Sequence, residues 1–206
     1  MDDKVATVLE FYHKRIQDEA EHRHERPPQG GGTSWIDQVL LAVGPDTGQL
    51  INILASSLRA PHILEVGTSY GYSGIWLAEA ARKSGGRVTT MELQDYKATY
   101  ARARAVEAGL AEYIDYRVGD AVKMIGELKA GIDFVLLDLW KDMYIPCLDA
   151  FYPKLNPGAI IVADNMLYPG GELMQRYAEA VRAKPGISSV LLPVGSGIEV
   201  SRYEPH

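Results

Sequence analysis

The pattern of apolar and polar positions changes character near residue 62 of this chain. Before that point, apolar side chains recur at helical spacing, and over residues 4–20 they share one face of a helix, at Val5, Val8, Leu9, Tyr12 and Ile16. This pattern predicts an amphipathic helix over 4–20. Two further helices are predicted over 34–42 and 47–58.

After residue 62, short apolar runs alternate with helical stretches, which is typical of βα units and a parallel sheet. The predicted strands cover 62–66, 87–92, 114–118, 132–138, 159–164, 188–194 and 198–203. Only residues 195–197 separate the last two strands, too few for a parallel crossover, so these two must pair as a hairpin. The sequence therefore predicts an α/β, Rossmann-like, seven-stranded mostly parallel sheet with a C-terminal antiparallel hairpin and helices on both faces.

The length of 206 residues suits one domain, since domains commonly span about 100–200 residues. We expect a single domain over 1–206, in which 1–33 form an N-terminal helix and a Gly/Pro-rich lead-in. The apolar face of the first helix suggests a partner, so a homodimer is predicted. The alternative is that this helix packs on its own domain.

Charge and composition favour small molecules as the ligands of this chain. The formal net charge of −6 disfavours nucleic acid, whose binders usually show a basic face. No apolar run approaches the roughly 20 residues that a membrane-spanning helix needs. The start Met1-Asp2-Asp3 does not resemble a secretory signal, so we expect a cytoplasmic location.

A glycine-rich turn follows the first predicted strand, at Gly67 to Gly74. Such a turn lets a ligand approach the backbone, but Ser69 occupies the second glycine position of the dinucleotide pattern, which weakens the case for NAD. Glu92 and Asp120 close the next two strands, where they are placed for ribose hydroxyls and an adenine amino group. Each feature also occurs for structural reasons, but together they favour an adenosyl ligand.

Three oxygen-bearing side chains follow two later strands: Asp138 follows the fourth, and Asp164 and Asn165 follow the fifth. If these strands are neighbours, the three side chains lie at one place and offer the incomplete oxygen shell that suits Mg²⁺. The alternative is that Asp138 caps a helix and that Asp164 and Asn165 form a turn.

Several stretches of the chain resemble the cation-dependent O-methyltransferases, which are class I S-adenosylmethionine-dependent enzymes. They are 64–67, 71–73, the D-x-W-K-D-x-Y motif at 138–144 and the A-D-N-x-x-x-P-G motif at 163–170. The similarity covers about residues 40–203, and Trp140 favours the catechol branch of that family.

The resemblance implies methyl transfer from S-adenosylmethionine to one hydroxyl of a catechol-like acceptor. It implies that Mg²⁺ or another divalent cation binds Asp138, Asp164 and Asn165, with Lys141 as the general base. The implied cofactor residues are Val43, Glu65, Gly67, Ser69, Ser73, Glu92, Leu93, Asp120, Ala121, Asp138 and Trp140. The implied substrate residues are Lys141, Asn165, Pro169 and Glu199, the last holding the non-reacting hydroxyl.

Other interpretations remain open at this point. The open sheet also suits a nucleotide-dependent oxidoreductase, and a non-catalytic protein that keeps the adenosyl pocket is a third possibility. Separately, the alternative for Lys141 is a solvated residue at a helix start, and the alternative for Glu199 is an exposed carboxylate on an edge strand.

Overall fold

The computed structural model describes residues 1–21 and 38–205. The predicted Gly/Pro-rich lead-in from residue 22 to 33 lies outside the described residues, as does the first part, 34–37, of the second predicted helix. No helix in the described ranges is both long and apolar enough to span a bilayer. The cytoplasmic location stays a prediction.

Seven strands form one sheet, as the sequence pattern predicts, and their order is β3-β2-β1-β4-β5-β7-β6. They are β1 (His62–Val66), β2 (Arg87–Glu92), β3 (Ile114–Val118), β4 (Ile132–Leu137), β5 (Leu155–Ala163), β6 (Ile187–Leu192) and β7 (Ile198–Tyr203). β1 to β5 pair in parallel, whereas β7 runs antiparallel to both β5 and β6. The predicted parallel sheet and closing hairpin are confirmed.

Helices cover both faces of the sheet. They are α1 (Asp3–Glu21), α2 (Pro45–Ser56), α3 (Tyr72–Ser84), α4 (Asp95–Glu107), α5 (Ala121–Glu127), α6 (Tyr144–Phe151) and α7 (Glu172–Arg182). Because side chains alternate along a strand, Phe134 and Leu136 of β4 pack in the core beneath α1 to α4. Val135 and Leu137 pack in the opposite core, beneath α5 to α7.

The first helix packs on its own chain. α1 buries Val5, Val8, Leu9 and Tyr12 in the same core as α2 and α3. Its apolar face therefore needs no second subunit, which removes the reason given for a dimer, although the oligomeric state itself stays a prediction.

The helix predicted over 34–42 is wrong for the described residues 39–42, which form an irregular connection to α2. Leu41 has a left-handed φ of 48°, a conformation that an L-residue does not adopt within a right-handed helix. The N–H of Leu40 donates to the Glu19 carboxylate of α1 and not to a helical carbonyl. A tertiary contact thus overrides the local apolar spacing.

The centre of the sheet is a topological switch, because the chain runs outward from β1 through β2 to β3 and then returns to β4 on the other side. Ligands of open α/β sheets bind at the carboxyl ends of the strands beside such a switch. There Asp138 donates its N–H to the Val66 carbonyl over 3.0 Å, and Asp164 does the same to Leu137 over 3.0 Å. A Cβ on Gly67 (φ 106°) would overlap the Asp138 carbonyl oxygen, so only glycine allows the two strand ends to approach so closely.

Candidate active site

The glycine-rich turn, residues 67–71, is called the cofactor loop below. The N–H groups of Gly67 and Thr68 both donate to the Met91 carbonyl, at 3.0 and 3.1 Å. The N–H of Ser69 donates to Glu92 Oε2 over 2.7 Å, and Ser69 has a left-handed φ of 46°. The end of β2 therefore holds the cofactor loop against the end of β1.

Glu65 is fully buried beneath this loop. Its carboxylate accepts hydrogen bonds from Ser73 Oγ at 2.6 Å and from Thr90 Oγ1 at 2.5 Å. Burial raises the pKa of Glu65 to about 7, against the two hydrogen bonds, which lower it. A carboxylate whose charge is poorly compensated is typical of a site that binds a cationic group.

The other predicted cofactor residues lie just after strands or close to the starts of helices. Val43 is buried before α2, and Ser73 lies in the first turn of α3. Leu93 and Trp140 are 62% and 58% exposed. Asp120 caps α5 by accepting from the Lys123 N–H at 2.8 Å, and Ala121 begins that helix.

Lys141 is the centre of a polar cluster between the ends of β4 and β5. Its Nζ donates to the Leu139 carbonyl at 3.1 Å, to Tyr144 Oη at 3.0 Å and to Asn165 Oδ1. The same Nζ lies 3.6 Å from Asp138 Oδ1. The structure thus brings together Asp138, Lys141 and Asn165, which the sequence predicts as one site.

Asp164 is the most unusual member of this site. Its side chain is buried, and neither carboxylate oxygen has a hydrogen-bond partner within the described part of the chain. Burial and the nearby charge of Asp138 raise the pKa of Asp164 to about 7. Burial also raises the pKa of Asp138, against the effect of Lys141.

The capping alternative for Asp138 does not describe this arrangement. The 3₁₀ turn Lys141–Met143 begins after Trp140, which occupies the N-cap position. The Asp138 carboxylate instead faces Lys141. The buried carboxylate of Asp164, the partly buried carboxylate of Asp138 and the amide oxygen of Asn165 therefore lie near one another, and oxygen ligands of these types suit a divalent cation. No set of three or more His, Cys, Asp or Glu residues is grouped for a metal in the described ranges, and the metal set of Asp138, Asp164 and Asn165 stays a prediction.

The predicted hairpin holds the loop that carries Asn165. The N–H groups of Met166, Leu167 and Tyr168 donate to the carbonyls of Gly197 or Ser196 in the β6–β7 turn, at 2.8–2.9 Å. Asn165 has a left-handed φ of 61° at the start of this loop, and Pro169 is exposed farther along it. The last two strands therefore position a residue of the site.

Glu199 is placed differently from the other predicted substrate residues. It lies on β7 and is fully buried, with its oxygens bonded to Arg182 at 2.8 and 2.9 Å and to Ser189 Oγ at 2.5 Å. The alternative of an exposed carboxylate is wrong because Arg182 and Ser189 cover it. Its role towards a substrate hydroxyl stays a prediction, and a hydroxyl would bind only by replacing one of these partners.

Sequence reasoning missed Tyr144 as a residue of the site. Its buried hydroxyl accepts from Lys141 Nζ and donates to the Asp164 carbonyl over 3.2 Å, so it joins the two strand ends. The signal was present in the last position of the D-x-W-K-D-x-Y motif, because residues three apart on a helical turn lie on one face.

Comparison with known proteins identifies the family to which this chain belongs. A model of the O-methyltransferase family matches residues 33–203, most of the chain. The chain belongs to the O-methyltransferase family. This membership favours the methyltransferase interpretation over the nucleotide-dependent oxidoreductase.

Among related O-methyltransferases, a catechol O-methyltransferase of Mycobacterium tuberculosis is 35% identical over 146 residues, covering 70% of this chain and 66% of the relative. The match thus spans slightly less than two thirds of that protein. A caffeoyl-CoA O-methyltransferase of Arabidopsis thaliana is 27% identical over 186 residues, covering 79% of this chain and 71% of the relative. The crystal structure of an O-methyltransferase from Bacillus cereus in complex with SAH superposes with a TM-score of 0.74 at 26% identity, covering 96% of this chain and 91% of that one.

Replacing Glu65 by Gln tests the electrostatic state of the cofactor crevice. Because the pKa of Glu65 is about 7 in the folded chain and near the ordinary 4.5 when unfolded, the folded form keeps a proton that the unfolded form has lost between these pH values. The stability contributed by that proton is present below pH 4.5 and is lost as the pH rises through 7. Because glutamine does not titrate, Glu65→Gln should not lose this stability. As the pH rises from 4.5 to 8, the free energy of unfolding of Glu65→Gln minus that of the wild type should therefore increase by about 2–3 kcal/mol.

Urea denaturation at several pH values measures this difference. Glu127→Gln, at an exposed glutamate of α5, is the control and should follow the wild type at every pH. A constant difference between Glu65→Gln and the wild type across this range would contradict the raised pKa.

Proposed function

We propose that this chain transfers a methyl group from S-adenosylmethionine to one hydroxyl of a catechol-like, vicinal dihydroxy aromatic molecule, with the help of a divalent cation. The observation that carries the proposal is the convergence of Lys141, Asp138 and Asn165 with the unpartnered Asp164 carboxylate, beside a glycine-rich cofactor loop. The relatives named for catechol and caffeoyl-CoA share this acceptor chemistry, because both names denote an aromatic ring with adjacent hydroxyls.

The crevice at the switch point suits the methyl donor. Glu65 offers a buried carboxylate to the ammonium group of the methionine portion, which would compensate the charge that burial destabilises. Glu92 would bind the ribose hydroxyls and Asp120 the adenine amino group, since both follow strands on the ligand side. The SAH bound to the Bacillus cereus relative supports the assignment.

The residues at the ends of β4 and β5 suit a divalent cation. Asp138, Asp164 and Asn165 would hold Mg²⁺ or a similar ion, and the two orphaned oxygens of Asp164 would gain the partner that they lack. Such an ion would supply positive charge that favours the ionised form of the acceptor hydroxyl and would orient adjacent hydroxyls.

Lys141 Nζ, as the neutral amine, would take the proton of the attacking hydroxyl, because a dication bound beside it disfavours the ammonium form. The oxygen then attacks the methyl carbon, the bond between carbon and sulfur breaks, and its electron pair stays on sulfur, which leaves S-adenosylhomocysteine and the methyl ether. Tyr144 and Asn165 fix the position of Nζ by hydrogen bonds. Pro169 is exposed in the loop after Asn165 and would offer an apolar surface to an aromatic ring.

Methyl transfer to catechol should require a divalent cation. With S-adenosylmethionine and catechol, product formation followed by chromatography should fall to the uncatalysed rate in excess EDTA and should return when Mg²⁺ exceeds the chelator. Binding of S-adenosylhomocysteine should persist in EDTA, because the cofactor crevice does not depend on the cation. Full turnover in EDTA would refute the cation, and no transfer to any of catechol, caffeate or caffeoyl-CoA with Mg²⁺ present would refute the acceptor class.

Replacing Lys141 by Met should lower kcat by about 10²–10⁴ with a smaller effect on KM, because it removes the proton acceptor from the transition state. Steady-state kinetics with catechol measure both constants. Lys184→Met is the matched control, since Lys184 pairs with Asp149 at the surface, and it should keep the wild-type kcat. If Lys141→Met also kept that kcat, its role as general base would be wrong.

A further inference from the structure

α1 (Asp3–Glu21) lies before the residues that the family model matches, yet it contacts the cofactor loop directly. Tyr12 of α1 is fully buried, and its hydroxyl donates to the Tyr70 carbonyl over 2.5 Å. Its ring packs edge-to-face on Tyr72, with 5.6 Å between ring centroids. One helical residue therefore ties down the outer end of the loop, where it enters α3.

A second contact lies farther along α1. Both oxygens of Glu19 accept from the N–H of Leu40, at 3.0 and 3.1 Å. The Leu40 carbonyl in turn accepts from Ser69 Oγ in the cofactor loop over 3.2 Å. Glu19 thus reaches the loop through the backbone of one intervening residue.

Arg15 joins these two contacts on α1. Its guanidinium pairs with Glu19 at 3.0 Å and lies 4.8 Å from the centroid of the Tyr70 ring. It also donates to the Gln38 carbonyl at 2.9 Å. The helix therefore holds both the cofactor loop and the segment from Gln38 to Val43, whose last residue is among the predicted cofactor contacts.

The residues held in this way have strained backbones. Ser69 and Leu41 have φ values of 46° and 48°, in the left-handed region that non-glycine residues rarely adopt. Such conformations persist only where the surrounding structure imposes them, and they are common at ligand sites. The Ser69 N–H also donates to Glu92, so a shift of this residue would move a predicted ribose ligand.

We propose that Tyr12 and Glu19 are positioning residues for the cofactor site, and that α1 raises the affinity for the adenosyl cofactor by holding the cofactor loop and Leu40 in their binding conformation. This inference rests on the proposed function, in which that loop binds S-adenosylmethionine. Neither residue touches the reacting atoms.

Calorimetric titration with S-adenosylhomocysteine tests this inference without turnover. Tyr12→Phe keeps the ring and removes only the hydroxyl, and it should raise the Kd about three- to tenfold, the loss expected for one buried hydrogen bond. Tyr152→Phe is the matched control, because the Tyr152 hydroxyl also donates to a backbone carbonyl, that of Pro185, but away from the crevice. It should leave the Kd unchanged.

Glu19 provides an independent pair of variants. Glu19→Gln keeps an oxygen that accepts from the Leu40 N–H, so it should bind S-adenosylhomocysteine nearly as well as the wild type, whereas Glu19→Ala should weaken binding. Thermal unfolding of the same proteins without ligand measures how far each substitution lowers the unfolding temperature by loosening the packing of α1.

The outcomes separate this inference from the proposed function. If the wild type binds S-adenosylhomocysteine while Tyr12→Phe and Glu19→Ala bind it equally well, the positioning role is refuted even if both variants unfold at lower temperature. If the wild type itself does not bind S-adenosylhomocysteine, the adenosyl site of the proposed function is wrong and this inference is refuted with it.

Discussion

Burying a carboxylate away from hydrogen-bond donors is among the costlier arrangements in a folded protein, and Asp164 is such a group. Its charge lies near that of Asp138, and Lys141 is the cation that faces the pair. The fold nevertheless places both acids at adjacent strand ends, where each backbone N–H is fixed by the neighbouring strand. Such a destabilised cluster is understandable if the protein binds a cation there, because the ion would compensate the electrostatic cost that folding leaves.

The cofactor loop and the acidic cluster lie side by side at the same edge of the sheet. Since β1 lies between β2 and β4, the cofactor loop after β1 adjoins the acidic ends of β4 and β5. Gly67 permits this proximity, because any side chain there would strike the Asp138 backbone. The hairpin β6–β7 contributes from the far side by binding the loop that follows Asn165. In the proposed reaction, donor and acceptor therefore approach one another across the switch point, and alignment becomes a property of the sheet.

The sequence predicts the sheet well because the alternation of apolar runs with helical stretches and the lengths of the connections are local features. The three-residue connection at 195–197, for example, allows only an antiparallel pair of strands. The sequence also predicts that Asp138, Asp164 and Asn165 lie at one place, because each follows a predicted strand and belongs to a recognisable motif. It fails where a distant contact decides: Leu40 and Leu41 have helical spacing, but Glu19 of α1 binds the Leu40 N–H. The hydrogen-bond partners of Glu199 could likewise not be predicted from the sequence, because Arg182 contacts it from a different element, α7. The orphaned state of Asp164 depends on burial, which no spacing reveals.

Manganese binding tests the central claim most directly, because Mn²⁺ occupies similar oxygen sites and free Mn²⁺ has a strong paramagnetic resonance signal. Titration of the wild type without acceptor should show one tightly bound ion per chain, and Asp164→Ala should abolish that binding. Asp149→Ala, at an exposed aspartate of α6, should bind like the wild type. If the wild type bound no ion, or if Asp164→Ala bound one as tightly, the carboxylates at the ends of β4 and β5 would not be a cation site.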